Sequence, residues 1–191
     1  MDIKPQNVLL RRITTGSEAV SYGIYLYLTH FGISKHFASN QHSQTDGLIA
    51  RSRKYCAPQV YNSEPRGRSA HVFSLGCVFV EMETVMRAKS LEEFADFRAG
   101  DSCEDADCDD SFHANPDAVR RWIALLQKII PGGTDHRFGR WTERLRTIEA
   151  MLDASPEKRP LASEVLARLG APRPCRTGDR ETYEAAQPDG E

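Results

Sequence analysis

From Ala70 to Met86 the chain runs AHVFSLGCVFVEMETVM, apolar on almost every face. Such a run is too long for a strand and shorter than the ~20 residues that span a bilayer, so it predicts a buried central helix. Ahead of it, NVLL at 7–10 reads as a short buried strand and YGIYLYLT at 22–29 as a second strand. The polar, glycine-containing RRITTGSEAVS between them reads as a loop, and residues 38–54, polar with Gly47 as their one glycine, as a mobile segment. Beyond the central helix the composition turns abruptly acidic over residues 99–114, the pattern of an exposed loop. Asn115 and Pro116 then form an N-cap and first helical position, opening a helix to about Ile130. PGGTDHRFG breaks it, residues 141–152 carry apolar positions at helical spacing, and DASPEKRP forms a turn. LASEVLARLG is a short helix stopped by Gly170 and Pro172. From 171 to 191 the chain is rich in proline, glycine and charge and is expected to be a disordered tail after a domain spanning 1–170.

With 191 residues, one domain with a real core is expected. The balance of 25 basic and 27 acidic residues, net −2, gives no support for nucleic-acid binding or a polybasic membrane anchor. The first residues are polar, so no export signal is read there, and the five scattered cysteines have no framework spacing. Together these predict reduced thiols and an intracellular protein, cytoplasmic or nuclear, that neither enters a membrane nor binds nucleic acid. Cys103-x4-Cys108 with His113 nearby invites a zinc reading; the surrounding carboxylates favour a solvated acidic loop with free thiols.

The chemistry begins with D-I-K-P-Q-N at residues 2–7. Alone, this is also compatible with an ordinary surface turn. It is followed in order by HFGISK from His30, SRKYCAPQVY from Ser52, SAHVFSLGCVFVEM from Ser69 and DASPEKRP ending at Pro160. In that order these stretches resemble the C-terminal lobe of a eukaryotic-type serine/threonine protein kinase domain: catalytic loop, DFG motif, A-P-E end of the activation segment, central D-V-[FWY]-S-L-G helix and late R-P motif. The twelve residues from Gln59 to His71 fit that layout.

The resemblance implies a protein kinase-like α+β fold, here the C-lobe only, mainly helical with a short β-hairpin near the N-terminus. It implies Asp2 as the residue that accepts or orients the substrate hydroxyl proton, Lys4 as the steadying cation, and Asn7 as a magnesium ligand, with ATP and Mg as cofactors and a protein as substrate or partner. Lys4, two residues after Asp2, points to the Ser/Thr branch. Ser52 matches the activation-segment Thr that contacts the catalytic loop, and Ser34, Ser39, Ser43 and Thr45 lie in the same region. No G-x-G-x-x-G occurs, and Met1 stands where His-Arg usually precedes the catalytic Asp, so the chain reads as a truncated domain without its N-lobe.

Three acidic positions of the family pattern are replaced. His30 stands at the DFG Asp, where an imidazole suits a hard, oxygen-seeking magnesium ion poorly; it reads as a packed histidine rather than a metal ligand. Gln59 replaces the Glu expected to pair with Arg159, leaving a neutral acceptor before a guanidinium. His71 replaces the Asp of the central helix; with apolar residues following from Val72 it is expected to be partly buried and to make the fold acid-sensitive. The expected function is therefore a serine/threonine kinase domain with impaired or absent phosphoryl transfer, the alternative being a non-catalytic, pseudokinase-like interaction module.

Overall fold

The computed structural model describes residues 3–15, 21–29, 53–64, 67–100, 109–129 and 141–170. The expectations for Asp2, His30, Ser52 and the tail 171–191 fall outside them. What is described is mostly helical with one two-stranded sheet.

Strand β1 (Val8–Thr15) pairs antiparallel with β2 (Ser21–Leu28), in register from Val8↔Leu28 to Thr15↔Ser21. The sequence placed a loop from Arg11 onward. The strand instead continues through polar Arg11–Thr15, because each of these residues has a partner on β2. The expectation that NVLL is buried also fails for its two leucines. Leu9 is 56% exposed and Leu10 70%, on a ribbon of only two strands among the described residues.

The helical part is built around α2 (Arg68–Met86), preceded by the single turn α1 (Pro58–Tyr61). Four further helices follow: α3 (Leu91–Ala99), α4 (Pro116–Gln127), α5 (Trp141–Met151) and α6 (Ala162–Leu169). The near-uniform apolarity of α2 is used on two sides. Phe73, Cys77 and Val80 face the main core with Phe94, Trp122, Leu126 and Leu145, while Val72 joins Met151 and Val165. Gly76 allows α5 to approach: a Cβ there would lie 3.0 Å from Met151 Cβ and 3.2 Å from Leu152. No helix among the described residues is long and apolar enough to cross a membrane.

Helix ends follow local chemistry. Ser90 Oγ accepts from Glu93 N at 3.0 Å while Glu93 Oε2 accepts from Ser90 N at 2.8 Å, a reciprocal cap that starts α3. Gly100, at φ 79°, ends it in the left-handed region. Asn115 precedes α4 as expected, but its amide does not cap the helix; Nδ2 donates to the carbonyls of Asp109 and Ser111. The acidic stretch is likewise not wholly exposed, because Ser111 and Phe112 are buried, Phe112 within the main core.

Candidate functional site

The sequence around Lys4 and Asn7 folds as a tight turn. Lys4 is extended, Pro5 occupies the first position of a 3-10 turn over Pro5–Asn7, and Asn7 N donates to Lys4 O at 3.0 Å. Asn7 is buried and Lys4 half-buried. Where the hairpin closes, Thr29 donates to the Asn7 carbonyl through both N (2.8 Å) and Oγ1 (3.1 Å). The hairpin therefore ties the turn carrying Lys4 and Asn7 to the residue immediately before His30. Thr29 was not singled out in the sequence; its position just beyond a strand that pairs with residue 8 was the available signal.

A second group lies at the start of α2. Gln59 and Arg159, 100 residues apart, meet in the interior: Arg159 Nη2 donates to Gln59 Oε1 at 3.1 Å, and each residue is 5% exposed. The same guanidinium donates to the carbonyls of Asp153 (2.6 Å), Ala154 (2.9 Å) and Ser69 (3.2 Å), and it lies 4.9 Å from the centre of the Phe73 ring. Burial pushes the Arg159 pKa down to about 10, only partly countered by the Asp153 and Glu157 carboxylates. Gln59 Nε2 is buried and has no hydrogen-bond partner among the described residues. The neutral amide thus serves the cation with one oxygen and leaves its own donor unsatisfied.

His71 corrects an expectation: it is exposed, not partly buried. The buried residues of the first turns, Ala70, Val72 and Phe73, flank it, and His71 shares the outward side with exposed Arg68. The burial on which its acid sensitivity was to rest is absent.

The chain before α1 is anchored by groups the sequence did not flag. Tyr55 Oη lies 3.0 Å from both carboxylate oxygens of Glu81, Lys54 Nζ is 3.7 Å from Glu81, and Ser74 Oγ donates to the Tyr55 carbonyl at 2.8 Å. Burial pushes the Glu81 carboxyl up and, together with that carboxylate, the Tyr55 phenol as well. Of the zinc reading, Cys103 and Cys108 lie outside the described residues. His113 Nδ1 is 3.7 Å from Cys56 Sγ.

A family profile described as "Protein kinase domain" matches residues 1–169, and the chain belongs to that family. Among curated proteins it is similar to "Serine/threonine-protein kinase nekl-2" of Caenorhabditis elegans, 32% identical over 87 residues, which are 46% of this chain and 21% of that protein. It is also similar to "Serine/threonine-protein kinase Nek8" of Danio rerio, 25% identical over 174 residues, 91% of this chain and 19% of that protein. The chain spans about a fifth of the length of these relatives.

The family uses ATP and magnesium. Magnesium requires oxygen ligands in near-octahedral geometry. Asn7 offers an amide oxygen, but the second position implied by the resemblance carries the imidazole of His30.

Proposed function

We propose that residues 1–170 form the C-terminal lobe of a serine/threonine protein kinase domain in which phosphoryl transfer from ATP to a protein Ser or Thr is impaired. The Gln59–Arg159 contact carries the reading. Two motifs 100 residues apart meet in the interior as the resemblance implies, yet the carboxylate of that pair is an amide. In this reading Asp2 and Lys4 are the catalytic pair, Asn7 and His30 occupy the metal positions, and Ser52 faces the catalytic loop. Gln59, His71 and Arg159 hold the structural positions. Phosphoryl transfer depends on positioned charge more than on covalent chemistry, so loss of the carboxylate at position 30 weakens it directly.

A second reading, a pseudokinase-like module that binds a partner protein, is supported by the uncovered apolar residues Met82, Val85 and Met86 on the outer side of α2. Radiolabelled phosphate transfer from Mg–ATP to a Ser/Thr-containing protein substrate tests the first reading. The wild-type chain is expected to match an Asp2→Asn blank. Transfer at the rate of an intact serine/threonine kinase domain, abolished by Asp2→Asn, would refute the impairment.

A further inference from the structure

The acidic stretch ends in five residues that meet the chain before and within α1 almost one for one. Arg53 pairs with Asp109 at 2.9 Å, and Lys54 with Asp110 at 3.5 Å. Phe112 N donates to the Lys54 carbonyl at 3.1 Å. The Tyr55 and Phe112 rings stack at 5.8 Å, Cys56 Sγ faces His113 Nδ1, and the Tyr61 ring lies 4.2 Å from the His113 imidazole. The paired residues are more than 50 positions apart in sequence, so this is a tertiary seam and not a local turn.

We infer that residues 109–113 are an intramolecular strap that holds residues 53–61 in place and that salt can loosen. The strap is built in advance. Asp109 Oδ1 accepts from Ser111 N at 3.1 Å, and Asn115 Nδ2 donates to the carbonyls of Asp109 and Ser111, which sets the turn before it meets anything else. Phe112 is the anchor, 2% exposed, its ring 4.3 Å from the Arg98 guanidinium carbon and edge-on to Phe94 at 5.7 Å. Arg98 in turn donates to the Asp110 carbonyl at 2.8 Å and pairs with its carboxylate at 3.3 Å.

The ionic half is of a different kind. The Arg53 side chain is 66% exposed and Asp109 29%, while Lys54 and Asp110 are 33% and 39% exposed, so solvent ions reach both pairs. The strap thus has a permanent apolar anchor and a screenable electrostatic seam. On the reading proposed above, residues 53–61 are the end of the activation segment. The seam would then place that segment through charges that come from the acidic stretch.

Hydrogen exchange followed by mass spectrometry tests the strap without any activity, so its failure is distinguishable from failure of the kinase reading. In the Arg53→Gln, Lys54→Gln double variant the turn and the Asp110–Arg98 pair are kept, while both cations of the seam go. Amides of 53–61 are expected to exchange about fivefold faster, the equivalent of roughly 1 kcal/mol at 1.4 kcal/mol per factor of ten, with α2 and α5 unchanged. About 1 M sodium chloride, where the screening length is about 3 Å, should do the same to the wild type and nothing further to the variant. Unchanged exchange at 53–61, an equal rise throughout α2 and α5, or an equal salt response in the variant would each overturn the inference.

Discussion

Replacing Gln59 with Glu restores a carboxylate to a guanidinium that burial now holds at a disadvantage. The depression of Arg159 to about 10 corresponds to about 3 kcal/mol against the charged form, at 1.36 kcal/mol per pH unit from an ordinary guanidinium near 12.5. A glutamate at 59 would recover part of this through the contact now made by Oε1 at 3.1 Å. It would also remove the buried Nε2, which has no partner among the described residues. Burying the new carboxylate offsets some of the gain, leaving about 1–3 kcal/mol. For a domain of this size that is a rise in melting temperature of roughly 2–12 °C. Thermal melts of four forms measure it: wild type, Gln59→Glu, Arg159→Met and the double variant. The rise should appear in the wild-type background and vanish with Met at 159. No rise, or the same rise in both backgrounds, would show that the two side chains do not interact as the geometry has it.

Other expectations follow from the interior charges. The Glu83 carboxylate is shared by Arg87 and Arg144, with Arg144 Nε at 2.9 Å and the Arg87 side chain fully buried; Glu83→Gln should cost about 3–5 kcal/mol in denaturant unfolding, and a loss under 1 kcal/mol would mean that the cluster is idle. Burial holds the His113 imidazole below its ordinary 6.5, so the folded state binds that proton less well than the unfolded one. The neutral-imidazole contribution is therefore lost as pH falls through 6.5 toward and below the depressed value, and wild type should lose more stability between pH 7.5 and 5.5 than His113→Asn. Equal losses would place His113 in solvent.

The central helix was legible because a long run apolar on all sides has few other homes, and α4, α5 and α6 were legible from Pro116, from the apolar spacing over 141–152 and from the stop at Gly170. The α3 helix was passed over although Ser90 and Glu93 spell its capping box, since it lies between two stronger signals and has a weakly apolar face. The continuation of β1 could not be read from Arg11–Thr15, because cross-strand pairing and not apolarity holds those residues extended. Phe112 was hidden among carboxylates. Arg98 is wholly buried because Phe94, one turn earlier on α3, is joined around it by Phe112 and Asp110 from beyond the helix. At the candidate site, the meeting of Gln59 with Arg159 was foreseen from motif order. The exposure of His71 was not, because an apolar neighbour at Val72 says nothing about a position 100° away on the helix.

The proposed reading is of a kinase-family domain whose implied metal positions, Asn7 and His30, suit magnesium-bound nucleotide poorly. Isothermal titration of the chain with Mg–ATP tests it most directly, with Asp restored at position 30 in a parallel titration. The wild-type chain should show no binding tighter than about 100 μM, equivalent to about −5.5 kcal/mol, and any binding gained by His30→Asp should require magnesium. A wild-type dissociation constant below about 100 μM that magnesium removal abolishes would contradict the account.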